Sequence, residues 1–392
     1  MADYDVPEFD GKTILDVADK PNIDYMSMHG ELGMVKTVQE GMKPGSDVAN
    51  LSVMGYDTRT CYTGRSPLEA ASIGVQLKDT DVTFRCNLVT LSDEENYEDK
   101  TMVDYSAGEI STAEAKELIA AVAKELNTDI LKFYAGVSYR HLLVWDKGSD
   151  KVELTPPHDI SDRKIKDYLP QGDNSAELLE LMKRSARILG AHPVNLERIK
   201  QGKNPATSIW LWGEGKKPQL DNFEKKYGVS ASVISAVDLI KGIAICADME
   251  SIDVDGATGT YHTNFEGKTK AALQSLCEDG KDFVYIHMEA ADECGHQGDA
   301  KNKKLSVELI DKKVVGPLRK ELEKRGVDYK MLILPDHPTP IKLKTHVSDP
   351  VPYVIYDSTK EEGKGLLYNE ENGRKTGVYI EDGYTLMDKF LK

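Results

Sequence analysis

Between Phe283 and His346 the chain concentrates side chains of the kinds that hold metal ions. Asp292 and His296 follow the apolar run FVYIHM, Asp336 and His337 close the run MLIL, and His346 precedes the run VPYVIY. Asp-x-x-x-His alone is weak, because it recurs by chance. Asp-His alone reads equally well as a turn with a solvated carboxylate. The combination is stronger, since four of the five stand at or just beyond the end of a strand-like run. In an open α/β sheet, ligands collect at the carboxyl ends of the strands. Carboxylate oxygens and imidazole nitrogens suit Zn²⁺ or Mn²⁺, and Cys294 is the one competing thiolate in the stretch. Five ligands exceed one tetrahedral site and point to two ions close together, an arrangement that clamps the attacking and leaving oxygens of phosphoryl transfer. The rival reading is a set of surface and packing histidines.

The candidate nucleophile is Ser46, in GMKPGSDVANLSVMGYD. A serine hydroxyl needs a base, a metal or a helix dipole to act at neutral pH. Pro44-Gly45 marks a turn, Ser46 or Asp47 can cap a helix, and 48–54 carries an apolar helical face. The amino end of such a helix favours an anion. On local sequence alone, a plain capping role for Ser46 is the stronger reading. Arg65, Arg85, Arg140 and Lys241 stand near turns or strand ends and are candidate contacts for phosphate or carboxylate. For each one taken singly, a solvated surface role competes. His141 and His158 read as structural or functional with equal ease, while His29, His192 and His262 carry no assignment. No GxxxxGK[ST] or GxGxxG occurs, so nucleotide-type phosphate cradles find no support.

These residues need a scaffold. Residues 1–30 read as irregular, punctuated by Pro7, Gly11 and Pro21, with one short helical stretch near 13–18 and no opening strand. Ser66-Pro67-Leu68-Glu69 has capping-box spacing and starts a helix. Residues 81–91 read as a strand, 111–126 as a capped helix, and 130–146 as two strands joined near Gly136. A helix over 174–189 and a strand over 208–218 complete this middle region. Beyond Pro218, strands and helices alternate: helix 222–227, a strand running into a helix over 229–249, helix 269–278, strand 283–289, helix 303–325, strands 329–334 and 352–356, and a last helix near 384–391. Alternation of this kind implies a largely parallel sheet with right-handed crossovers. The expected fold is α/β: a doubly wound, mostly parallel core from 1–76 and 219–392, with a smaller α/β cap domain inserted over 77–218.

Bulk properties narrow the partners. The chain has 392 residues, too many for one ordinary core. A net charge of −16 argues against nucleic acid or an anionic membrane, and no apolar run reaches the roughly 20 residues of a membrane helix. Five scattered cysteines without a CxxC pair fit a reducing compartment, and the polar start MADYDVPEFDGK is not a signal peptide. A cytoplasmic enzyme is expected. Oligomeric state is not legible.

Taken together, EGMKPGSDVANLSVMGYD, YTGRSPLEAA, FRCNLVT, SIWLWGEGKKP, ISAVDLIKGI, ATGTYHTNFEGK, EAADECGHQGD, LPDHPTPI and THVSDPVPY resemble cofactor-independent phosphoglycerate mutases of the archaeal type. That family belongs to the alkaline-phosphatase-like metalloenzymes, and the matching stretches span nearly the whole chain in order. The resemblance implies an isomerase of glycolysis and gluconeogenesis that interconverts 3- and 2-phosphoglycerate, a small phosphorylated carboxylate, without 2,3-bisphosphoglycerate. Ser46 matches the serine that is phosphorylated and also touches one metal. Asp292, His296 and His346 match the ligands of one ion, and Asp336 and His337 those of another; Mn²⁺ or Zn²⁺ is expected, with Mg²⁺ a further candidate. The glycerate is expected to reorient under the cap before it takes the group back on its 2-hydroxyl. Lys241 resembles a phosphate-contacting lysine of related bacterial enzymes. A homoserine kinase or another phosphotransferase or phosphatase on the same scaffold would carry the same metal site, and a non-catalytic binding protein is a further alternative.

One departure matters. In the family the first strand ends in Gly-Asp-Gly-Met-Ala-Asp, whose first aspartate ligates the second metal. Met1-Ala2-Asp3 matches only the end of that motif. The expectation is therefore a gap in the core with unpaired ladder groups, less than two equivalents of metal, and a flexible Asp3 that is a poor substitute. A start placed at an internal methionine explains this more simply than an impaired homologue, because the later ligands are all present.

Overall fold

The computed structural model describes residues 1–360 and 363–392, and the chain divides into two compact units, Met1–Tyr62 with Gln219–Lys392, and Thr63–Pro218. The division falls at Thr63, ahead of the boundary at 77 expected from composition. The helix Ser66–Ser72 explains the difference: Ser66 donates its hydroxyl to the Thr83 carbonyl, tying that helix to the sheet of the second unit. Ser66 is thus an anchor rather than the expected cap.

In the first unit β1 (Glu31–Val35) is the earliest strand. The stretch before it is more ordered than expected. Thr13 makes a capping box for Ile14–Val17, and Pro21 opens a nine-residue helix, Pro21–His29, instead of breaking one.

The second unit is antiparallel. Its five-stranded sheet comprises β2 (Asp81–Leu91), β3 (Met102–Asp104), β4 (Leu131–Val137) and β5 (Arg140–Asp146); a ribbon of β6 (Val152–Glu153) and β7 (Gln171–Gly172) stands apart, and β8 (Ser208–Lys216) pairs with β2. The helices Thr112–Leu126 and Ser175–Gly190 pack on it through Leu118, Val122, Leu178 and Met182, all wholly buried or nearly so.

The first unit resumes with β9 (Ala231–Ile234), β10 (Glu250–Ile252), β11 (Phe283–Ile286), β12 (Lys330–Ile333), β13 (Val351–Asp357) and β14 (Tyr379–Ile380). One sheet runs β10-β9-β11 and is all parallel. The other runs β12-β13-β1-β14, with β13 antiparallel to both neighbours and β14 parallel to β1. Gly33 on β1 faces Tyr353 on β13, where any Cβ would come within 2.8 Å of the tyrosine ring. The close approach requires glycine there.

A cavity of about 900 Å³ opens between β11 and β12. Phe283 donates its amide to Ser230, just before β9, and His287 to Ile234 at its end, so the alternation of a parallel ladder turns the amides of Val284 and Ile286 toward the cavity. Leu332 lines the far side, with Val314 and Leu318 from one helical segment and Phe390 from another. FVYI is an apolar run suited to burial on both faces, yet Val284, Tyr285 and Ile286 are only half-buried.

Candidate functional site

Asp292 and His296 lie four residues apart on the helix Ala290–Gln297, so both project from one face. Gly298, in the left-handed region at φ 73°, ends that helix and lets the chain turn away. Asp336 and His337 follow β12, and His346 sits in the loop leading to β13. Asp336, His337 and His346 stand in loops at the sheet edge and Asp292 and His296 on the helix that follows β11, and the fold gathers them.

Asp292, His296 and His346 each offer a ligand atom, and these atoms lie within 4.8 Å of one another. His296 Nε2 is 2.8 Å from His346 Nε2, and Asp292 reaches both imidazoles, at 3.3 and 3.4 Å. His296 Nδ1 donates to the Lys344 carbonyl at 3.0 Å, so Nε2 is the nitrogen that faces the other donors and whose proton a cation would replace. Burial acts to raise the Asp292 carboxyl, but the imidazoles of His296 and His346 hold it well below the usual carboxylate range. The same contact with Asp292 lifts His296 to about 9. A cation in the centre would displace that proton, and the donor set fits one.

The second set is smaller. His337 Nε2 lies 3.4 Å from Asp336 Oδ2 and 3.2 Å from Ser46 Oγ, and its side chain is wholly buried. Burial pushes His337 down, which keeps it neutral and able to accept. Ser46 is the first residue of the helix Ser46–Val53, whose N-cap is Gly45. Its hydroxyl therefore does not cap the helix. It points to His337 at the end where the dipole favours negative charge.

Two groups that the sequence did not flag join the sets. Thr339 donates its hydroxyl to Asp292 Oδ1 and approaches His337 Nδ1 at 3.3 Å. His287 follows β11 beside the charges of Asp336 and Asp292 and is held down to about 4 by burial. No periodic signal marks either; only the fold brings them in. Asp3 corrects an expectation: it is buried, and it accepts from Lys303 Nζ at 2.7 Å and from the Ile341 amide at 3.2 Å.

Lys241 lies apart from these contacts, paired with the exposed Asp253 at 2.6 Å. In the second unit, Arg85 is buried between Glu69 (2.9 Å) and the Trp212 ring (4.1 Å), and Arg65 also reaches Glu69. Arg140 is exposed over Tyr139 at 5.4 Å. His158 stands edge-on to Trp212, and His141 is buried with its Nε2 unpartnered.

Comparison with known proteins places the chain in a family. Residues 28–195 match the family model described as 2,3-bisphosphoglycerate-independent phosphoglycerate mutase. A probable 2,3-bisphosphoglycerate-independent phosphoglycerate mutase of Geobacter sulfurreducens is 49% identical over all of this chain and 97% of its own length. The phosphoglycerate mutase of Methanosarcina barkeri is 47% identical over 100% of this chain and 97% of its own. Among solved structures, the PH0037 protein of Pyrococcus horikoshii aligns with a TM-score of 0.81 at 27% identity, over 100% of this chain and 94% of its own. The cofactor-independent phosphoglycerate mutase of Thermoplasma acidophilum aligns at 0.65 and 24%, over 100% and 96%, which shows a shared fold.

Proposed function

This chain belongs to the 2,3-bisphosphoglycerate-independent phosphoglycerate mutases, and from that premise we propose how its own residues interconvert 3-phosphoglycerate and 2-phosphoglycerate. The observation that carries the proposal is the convergence of Ser46 Oγ on His337 Nε2 at 3.2 Å, beside the donors of Asp292, His296 and His346.

Ser46 Oγ forms a bond to the phosphorus of 3-phosphoglycerate as the bond from phosphorus to the 3-oxygen breaks, leaving phosphoserine and glycerate. The 2-hydroxyl of glycerate then attacks the phosphoserine, the Oγ–P bond breaks, and 2-phosphoglycerate forms with Ser46 restored. No 2,3-bisphosphoglycerate takes part. The first turn of the helix Ser46–Val53 presents unpaired amides and a positive dipole end to the oxygen that must carry charge. The neutral His337 keeps an acceptor nitrogen against Oγ.

Asp292, His296 and His346 would hold one divalent ion, Mn²⁺ or Zn²⁺ with Mg²⁺ a further candidate, and Asp336, His337 and Ser46 would face a second. Such ions supply charge to ionise the serine and to neutralise the phosphoryl oxygens. Lys241 in the first unit, and Arg65, Arg85 and Arg140 in the second, are the proposed anion contacts. Of these, Arg140 has no ion pair among the described residues and its guanidinium suits a carboxylate or phosphate. No helix of the described residues is long and apolar enough to cross a membrane. The five free thiols favour a reducing cytoplasm.

The test is direct. Purified protein with Mn²⁺ and 3-phosphoglycerate, and no bisphosphoglycerate, should form 2-phosphoglycerate at a rate that saturates with substrate. ATP-dependent phosphorylation of homoserine without this conversion would transfer the reading to a kinase.

A further inference from the structure

Asn50 lies one helical turn after Ser46 and is wholly buried. Its Nδ2 donates to the Ser46 carbonyl at 2.8 Å and to Asp336 Oδ2 at 2.8 Å. Its Oδ1 accepts from the Tyr285 hydroxyl on β11 at 2.6 Å. A carbonyl and an ionised carboxylate can only accept, so the amide must turn its NH₂ toward them. The oxygen then faces Tyr285, whose proton it takes. Every polar atom of the Asn50 side chain is thus used, and the amide has one satisfied orientation.

We propose that Asn50 is a positioning residue that fixes the Asp336 carboxylate relative to Ser46, with Tyr285 setting the direction of its amide. The inference rests on the reading above that Ser46 and Asp336 act together. Asp336 has its Oδ1 engaged by the His337 amide at 2.9 Å, and Asn50 engages Oδ2, so the carboxylate plane is held from both sides. Thr37 holds the Asp336 carbonyl as well. What Asn50 adds is the link to the helix that carries the nucleophile. Outer hydrogen-bond partners of metal-ligating carboxylates commonly affect metal affinity or activity by roughly 10- to 100-fold.

The experiment compares Asn50→Asp, Asn50→Leu and Tyr285→Phe with Asp336→Asn in the full-length chain. Mn²⁺ titration is followed by calorimetry alongside kcat, KM and thermal unfolding. Asn50→Asp keeps the shape but replaces the donor with an acceptor. It should lower kcat and weaken the Asp336-dependent part of Mn²⁺ binding by roughly 10- to 100-fold, with KM little changed. Tyr285→Phe keeps the NH₂ but frees the amide to turn over, and should give a smaller loss of the same kind. Tyr285→Phe and Asn50→Asp test the role even where Asn50→Leu fails to fold. If both lower the melting temperature but leave kcat and Mn²⁺ binding at the parent values, while Asp336→Asn impairs them, Asn50 is only structural and the proposal is overturned. If Asp336→Asn also leaves both unchanged, the reading of the site itself fails.

Discussion

The Asp3 carboxylate and the Lys303 ammonium meet at 2.7 Å with both side chains almost wholly buried, although 300 residues separate them. Lys303 also donates to the Ala2 and Thr339 carbonyls, so all three of its protons are placed. Thr339 in turn holds Asp292. The pair therefore ties the N-terminal residues to the loop that orients a metal ligand.

Breaking that pair leaves a buried charge without its partner, which costs about 3–5 kcal/mol. Lys303→Met should lower stability by that amount in chemical denaturation. Lys303→Met with Asp3→Leu should recover much of the loss, because neither charge is then buried. A loss no larger than about 0.5 kcal/mol for the single variant, the size of an ordinary surface change, would contradict the role.

Ser46→Ala should abolish interconversion while leaving the melting temperature close to that of the parent. The hydroxyl makes no capping bond, so its removal leaves the helix intact. Protein incubated with 3-phosphoglycerate and quenched should carry one phosphoryl group on the peptide containing Ser46, and the alanine variant none. Turnover near the parent level in Ser46→Ala would remove it as the nucleophile.

Metal affinity should climb with pH. His296 is lifted to about 9 by Asp292 in the metal-free chain, so a cation must displace its proton. Mn²⁺ binding should tighten up to about pH 9 and then level off, with proton release seen by calorimetry in buffers of different ionisation enthalpy. Stability of the metal-free chain should move the other way. A raised pKa contributes stability that is present below the ordinary value of 6.5 and is lost as pH rises through about 9. Chelation at neutral pH should stop the conversion.

The cavity between β11 and β12 predicts uneven protection. Amides of Val284 and Ile286 face it, whereas β9 is paired on both sides. Hydrogen exchange should be fast at 284 and 286 and slow across Ala231–Ile234. An apolar fluorescent dye should bind, since natural interiors rarely hold voids of this size. Uniform slow exchange, or no dye binding, would contradict an open cavity.

The ligand types were legible in the sequence because chemistry fixes them: an Asp and a His four residues apart, an Asp-His pair after an apolar run, and a serine after a Pro-Gly turn. The alternation of strands and helices beyond Pro218 was legible for the same reason, since periodicity reports burial locally. The helix Pro21–His29 was not, because Pro21 was weighed as a breaker when its fixed φ suits a first helical turn. The antiparallel course of β13 was also hidden, as strand direction leaves no mark on an apolar run.

By itself, then, the sequence determined which side chains can hold metal and carry a phosphoryl group, and the order in which the elements follow. Tertiary structure alone decided which groups orient them. Asn50 against Asp336, Thr339 against Asp292 and Asp3 against Lys303 pair residues 47 or more positions apart. Such pairings arise when strands and helices pack, and a hydrogen bond formed across that packing has no periodicity along the chain.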